Sequence, residues 1–177
     1  LTPSTGTLKK LQQRLCNKVL INIVLPECAY GSIKGKSNIK NALKHKGKKY
    51  KFLLDLSDFF PSINSKVVYQ SLINEGFSPD IARMVTRLST FKNQLPQGAP
   101  TSPYIANIVF KQVDLQILNL IQEHQITYTR FVDDLTFSSQ NNFDQLHTAI
   151  VKIINSNGYK LSRKKTFATT GKANITG

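Results

Sequence analysis

The stretch Tyr128–Ser139, YTRFVDDLTFSS, constrains the fold of this chain more than any other. Two short runs rich in β-branched and aromatic residues flank Asp133-Asp134, the composition of two strands joined by a tight turn. Successive strand residues face opposite ways, so adjacent carboxylates reach one site only where a turn reorients one of them. Asp tolerates turn geometry, and a plain hairpin connection accounts for the pair on local grounds alone. The rest of the chain has to decide what the pair is for.

Upstream, apolar Leu8, Leu11, Leu15, Val19 and Ile23 recur at helical spacing between Lys9, Lys10, Arg14 and Lys18, which predicts an amphipathic helix over 7–23 with a basic outer face. Tyr30–Tyr50 reads as a loop, a short helix capped by Ser37 and a turn. Lys51–Leu56 is a strand with Asp55 near its end, stopped by Pro61 and Asn64, and a helix follows over 65–75. Ser78-Pro79 opens the next helix, and Met84 with the Leu and Ile stripes is assigned to the core. Gln94–Pro103, with three prolines and a glycine, is an ordered loop. It leads into a long helix to about Gln122 with Ile105, Ile108, Val109, Leu115, Leu118 and Ile121 as its apolar face. After the hairpin come a helix over 143–155, ended by Asn157-Gly158, and a strand region over 159–169. Strand, helices, strand–turn–strand, helix, strand is the order of an α+β layer, an antiparallel sheet backed by helices.

Composition bounds the partners. Across 177 residues, 24 Lys and Arg stand against 10 Asp and Glu, a formal charge of +14. A surplus of that size points first to polyanions. An anionic membrane surface is the second candidate, but no run of 18 apolar residues is present, so nothing spans a bilayer, and no membrane is named among the expected partners. Cys16 and Cys28 are the only cysteines, outside any C-x-x-C pair, and read as two reduced thiols of a cytoplasmic protein.

The strand of Asp55 can lie beside the hairpin of Asp133. Carboxylates converging at one sheet edge repel unless cations sit among them. Hard divalent ions with oxygen ligands meet that need, and two such ions about 4 Å apart serve an in-line phosphoryl displacement. An acidic centre in a basic protein is the charge map of an enzyme acting on nucleic acid.

LLDLSDFFPSI (Leu53–Ile63), LPQGAPTSP (Leu95–Pro103) and RFVDDLTFS (Arg130–Ser138) resemble, in order and spacing, the three central motifs of reverse transcriptases. GYKLSRKKT (Gly158–Thr166) resembles the following motif, a strand ending in a lysine. Asn41-Ala42-Leu43-Lys44-His45 matches the N-A-x-x-H signature of the bacterial retron group, and Ile175-Thr176-Gly177 is close to its V-T-G signature. Phe131, Val132 and Ile175 stand where Tyr, Ala and Val are more usual.

The resemblance implies a reverse-transcriptase fingers/palm fold: residues 1–49 as a fingers segment and 50–177 as the palm, with a fingers-like helical insertion around 64–95. The thumb would follow Gly177 and is absent from this chain. It implies an RNA-directed DNA polymerase in which Asp55, Asp133 and Asp134, with the Leu56 carbonyl, hold two Mg²⁺, Mn²⁺ being a substitute. Asp58, Phe59, Phe60, Gln97, Gly98 and Val132 would face the nucleotide, Phe60 disfavouring a 2′-hydroxyl. Lys165 would approach the leaving pyrophosphate, with Lys164 as the neighbour able to take its place. Lys34, Lys36, Asn41, Lys44 and His45 would meet nucleic acid, His45 reading equally as a structural hydrogen-bonder. The implied partners are deoxynucleotides, a structured non-coding RNA serving as template and primer, its cDNA product and an effector protein in phage defence. Untemplated or protein-primed synthesis, and a palm kept only for binding RNA, are the competing readings.

Overall fold

In the computed structural model of the chain, residues 6–163, 165–171, 173 and 175 are described. The elements in chain order are α1 (Gly6–Lys18), α2 (Asn38–Lys44), β1 (Tyr50–Ser57), α3 (Phe59–Ser62), α4 (Ser65–Asn74), α5 (Pro79–Ser89) and α6 (Ser102–Ile121). They are followed by β2 (Thr127–Phe131), β3 (Asp134–Ser139), α7 (His147–Ser156), β4 (Lys160–Leu161) and β5 (Phe167–Thr170). The chain separates into two compact units, one of residues 1–25 and 58–111 and the other of residues 26–57 and 112–177. The units part at 25/26, 57/58 and 111/112.

The first unit is helical. Asn64 caps α4 by accepting from the Val67 N–H, and Ser78 precedes Pro79 at the first turn of α5. Its interior is built on Phe59, Ile63, Val68, Leu72, Ala82, Val85, Leu95, Ile105, Ile108 and Phe110. Helix α1 does not bury the expected leucines: Leu8 and Leu11 are exposed, and Gln12, Cys16 and Leu20 are inside. The reason is polar: Gln12 Nε2 donates to the Leu88 carbonyl at 2.7 Å and Cys16 Sγ to the Pro100 carbonyl at 3.2 Å. Met84 is likewise exposed, not core.

The second unit is an antiparallel sheet in the order β2-β3-β1-β4, with β5 pairing β1 beside β4. Strand β1 pairs β3 from Tyr50↔Ser139 to Asp55↔Asp134, and β2 pairs β3 from Thr127↔Ser138 to Phe131↔Asp134. Cross-strand partners share a face, so Tyr128, Arg130, Leu135, Phe137, Phe52 and Leu54 form one face and Thr129, Thr136, Ser138, Leu53, Asp55 and Asp134 the other. The first face carries the stacked rings of Tyr128 and Phe137, and Phe52 stacks on His147 of α7 at 3.8 Å. Helix α2 packs on the opposite face, so the sheet is covered on both sides where the sequence suggested one. Asp114, not Leu115, lies on the buried side of α6.

The strand region expected over 159–169 is broken. β4 ends where the Ser162 N–H reaches the Asp55 carbonyl at 2.8 Å, and pairing with β1 resumes at Phe167↔Leu53. Lys165, which lies between the two in sequence, reaches Asp55 of β1 with its side chain. Gly158, at φ +85°, closes α7 as read from the sequence.

Candidate active site

Asp55 and Asp134 are direct cross-strand partners, a placement in which like charges oppose each other. Asp133 stands in the two-residue turn between Phe131 and Asp134, and its carbonyl accepts from the Leu56 N–H at 3.0 Å. The hairpin thus does what two adjacent carboxylates require: Asp134 belongs to the strand and Asp133 to the turn. Val132, at φ +60°, makes the reversal possible. Glycine is the usual residue for a positive φ at the first central position of a two-residue hairpin. A β-branched residue held there costs on the order of 1–3 kcal/mol.

Burial first, then the Asp55 charge, raises Asp133 above the ordinary carboxylate range. Asp134 is pushed up to about 6 by burial and by the charges of Asp133 and Asp55. Lys165 is the cation present: its Nζ donates to Asp55 Oδ2 at 2.9 Å, and that bond raises the lysine's own pKa. Among the described residues no group of three His, Cys, Asp or Glu side chains is drawn together as a finished metal site. The donor chemistry nevertheless fits hard cations: burial and neighbouring carboxylate charge raise the proton affinity of Asp133 and Asp134, and an ammonium already sits on Asp55. Lys164 lies outside the described residues, as do Thr176 and Gly177.

Three of the residues expected to meet nucleic acid have partners within the fold or are buried. Lys36 Nζ donates to the carbonyls of Glu27 at 2.7 Å and Ala29 at 2.6 Å and lies 4.6 Å over the Tyr30 ring, so its charge is committed within the fold. His45 is fully buried, its ring nitrogens hydrogen-bonded to the hydroxyls of Ser138 and Thr129, both at 2.7 Å. Burial and the nearby Lys51 and Lys48 lower its pKa to about 4, so it is neutral. Asn41, also on α2, is fully buried, its amide without a hydrogen-bond partner among the described residues. Lys34 and Lys44 remain exposed.

In the helical unit, Asp58 adopts a left-handed conformation at φ +49° and starts the short helix α3, so Phe59 and Phe60 lie on a helical turn and not on a strand. Phe59 is buried edge-on against Phe110 at 5.7 Å, and Phe60 is half-buried. Gln97 is exposed, and Gly98 turns the loop at φ +90°.

One part of the site was not read from the sequence. Arg130 and Asp114, both fully buried, are paired through Arg130 Nη2 to Asp114 Oδ2 at 2.7 Å and Nε to Oδ1 at 3.0 Å. Tyr128 donates its hydroxyl proton to Asp114 at 2.8 Å. Burial opposes the Arg130 charge, and Asp114 more than offsets it. The sequence held a signal: Phe110, Val113, Asp114, Ile117 and Ile121 share one helical face, and a carboxylate in an apolar stripe calls for a buried partner.

Carboxylates at a hairpin beside an antiparallel partner strand, with a lysine opposite, define a class of site suited to phosphoryl chemistry. The sequence matches the family "Reverse transcriptase (RNA-dependent DNA polymerase)" over residues 5–177, and the chain belongs to that family. It is 32% identical over 162 residues to the Retron Se72 reverse transcriptase of Salmonella heidelberg, covering 88% of this chain and 42% of that protein. It is 33% identical over 161 residues to the Retron Ec86 reverse transcriptase of Escherichia coli, covering 90% and 50% respectively. The chain thus spans half or less of the length of these relatives. The fold is similar to part of telomerase from Candida albicans, solved in complex with a fragment of telomeric RNA: the TM-score is 0.63 at 11% identity, over 93% of this chain and 34% of that one. Among the described residues no helix is long and apolar enough to cross a membrane.

Proposed function

We propose that this chain is the catalytic core of a retron-type RNA-directed DNA polymerase, extending a nucleic-acid 3′-end with deoxynucleotides on a structured non-coding RNA. The observation that carries the reading is the facing pair Asp55 and Asp134, with Asp133 in the adjoining turn and Lys165 on Asp55. Asp55, Asp133 and Asp134, with the Leu56 carbonyl, are the groups that would hold two Mg²⁺, and the bound ions would supply Lewis-acid stabilisation of the phosphoryl group and acidify a primer hydroxyl.

The chain's own residues do the rest. The β1–β3 ladder sets the spacing of Asp55 and Asp134, and the turn sets Asp133 apart from its neighbour. Lys165 offsets carboxylate charge until substrate arrives and is then placed to meet a phosphate leaving group. Exposed Lys34 and Lys44 are suited to backbone phosphates. The nucleotide-facing roles of Asp58, Phe59, Phe60, Gln97, Gly98 and Val132 rest on their motif positions; for Phe59 the backbone is meant, since its ring is core. The names fingers and palm, a cytoplasmic setting, an effector protein and a part in phage defence belong to the same proposal and rest on similarity to the retron enzymes.

Primer extension on an RNA template with Mg²⁺ and four deoxynucleotides, beside Asp133→Asn, is the test. Templated product that vanishes in the variant supports the reading. Equal product without template points to the untemplated relative, and no product from folded protein that binds RNA points to a binding module.

A further inference from the structure

We propose that Gly31 and the Asp114–Arg130 pair are positioning residues that brace the Val132–Asp133 turn from two sides and so set the aim of the Asp133 carboxylate. The inference rests on the reading of Asp133 as a functional carboxylate given above.

The turn has a reason to need bracing. Val132 sits in a left-handed conformation that a β-branched residue avoids, so left to itself the segment would relax and carry Asp133 with it. One side of the brace is the segment Cys28–Gly31, which runs parallel to β2. The Arg130 N–H donates to the Cys28 carbonyl at 2.7 Å and the Tyr30 N–H to the Arg130 carbonyl at 2.8 Å. This brings Gly31 onto the turn itself. A Cβ at Gly31 would stand 2.5 Å from the Val132 nitrogen, 2.6 Å from Val132 Cγ2 and 3.2 Å from the Phe131 carbonyl carbon. Two of those three atoms are backbone, so no side-chain rotation relieves the clash. Lys36, tying down the Glu27 and Ala29 carbonyls, holds this segment in place.

The other side is Arg130. Its guanidinium uses one edge on Asp114 and turns Nη1 to the Val132 carbonyl at 3.0 Å. The strained residue is thereby gripped at its nitrogen by close packing and at its carbonyl by a charge-assisted hydrogen bond. A planar fork anchored by a buried carboxylate suits this task, because its direction is fixed before the hydrogen bond forms.

The test uses Gly31→Ala, Arg130→Lys and the double variant Gly31→Ala/Val132→Gly in the full protein, with Mn²⁺ binding followed by electron paramagnetic resonance and templated extension followed kinetically. Gly31→Ala is expected to unfold cooperatively, to bind Mn²⁺ at least tenfold more weakly and to lose at least tenfold in kcat, with the KM for deoxynucleotide within threefold. Glycine at position 132 removes Cγ2 and frees the backbone there to shift its nitrogen away from the added methyl, so the double variant is expected to recover part of the Mn²⁺ affinity. Arg130→Lys keeps a cation beside Asp114 without the fork, and the same loss of Mn²⁺ affinity is expected. Should Gly31→Ala fail to fold, Arg130→Lys decides alone. Folded variants with wild-type Mn²⁺ affinity and kcat would overturn the brace, as would a double variant no better than Gly31→Ala. A wild-type protein that binds Mn²⁺ but makes no DNA would instead overturn the polymerase reading, leaving the brace to be judged on Mn²⁺ affinity.

Discussion

Two groups of aspartates in the sheet unit have opposite lives. Asp114 is completely buried, yet every demand of its charge is met by Arg130 and Tyr128. Asp55, Asp133 and Asp134 are more accessible as a group, yet one lysine is the only cation on them among the described residues. A buried carboxylate with a complete set of donors is structural. A half-buried set left short of positive charge is held ready for something that arrives later. The contrast teaches that burial alone does not mark a functional acid; the unmet charge does.

Breaking the site should separate the two groups. Asp133→Asn is expected to lower templated extension on the order of 10³-fold, the scale of losing one charge-organising group. The melting temperature in metal-free buffer should hold or rise, because a like charge has been removed. Asp114→Asn should do the reverse at the level of the fold. It leaves Arg130 buried and short of its counter-charge, a loss of about 3–5 kcal/mol that urea denaturation would read.

A smaller effect concerns pH. Asp134 binds its proton more tightly folded than unfolded, so its contribution to stability is complete below its ordinary 3.8 and is lost as pH rises through about 6. His45 runs the other way: its contribution is present above its ordinary 6.5 and is lost as pH falls toward about 4. The clean readout is therefore a difference. Without divalent ions, the melting temperature of wild type relative to Asp134→Asn should rise by about 2–4 °C from pH 7 to pH 5. Saturating Mg²⁺ at pH 7 should produce a gain of the same sign. Least of all, Lys165→Met should leave the melting temperature unchanged, because the lysine is exposed. Its extension rate should fall by about tenfold in single-turnover measurement.

How far the site could be read beforehand follows the same division. The meeting of Asp55 with the hairpin was legible because strand alternation and a two-residue turn leave few arrangements. The general order of helices and strands was legible from periodicity and from caps such as Ser37, Asn64 and Gly158. Asp114–Arg130 was not, since an apolar stripe marks Asp114 as needing a buried partner without saying which one, and that partner lies 16 residues later on a strand. His45 was legible as a structural hydrogen-bonder, and the hydroxyls of Ser138 and Thr129 give it that role; Lys36 was read by its charge as an outer-surface group, whereas the carbonyls of Glu27 and Ala29 hold it. The exposed Leu8, Leu11 and Met84 show the converse, because helical spacing marks a face without saying that anything covers it.

The bridge made by His45 has a consequence for how the chain finds its structure. Hairpin β2–β3 is local and can form early, but β1 lies some seventy residues upstream and must search for its place. A slip of one residue in either hairpin strand would turn Thr129 or Ser138 to the opposite face and leave an imidazole nitrogen of His45 without its hydroxyl. His45 caps the helix that precedes β1, so the ring that bridges the hairpin strands lies five residues before the strand bearing Asp55. Correct register and completion of the acidic cluster are thus coupled in one docking event.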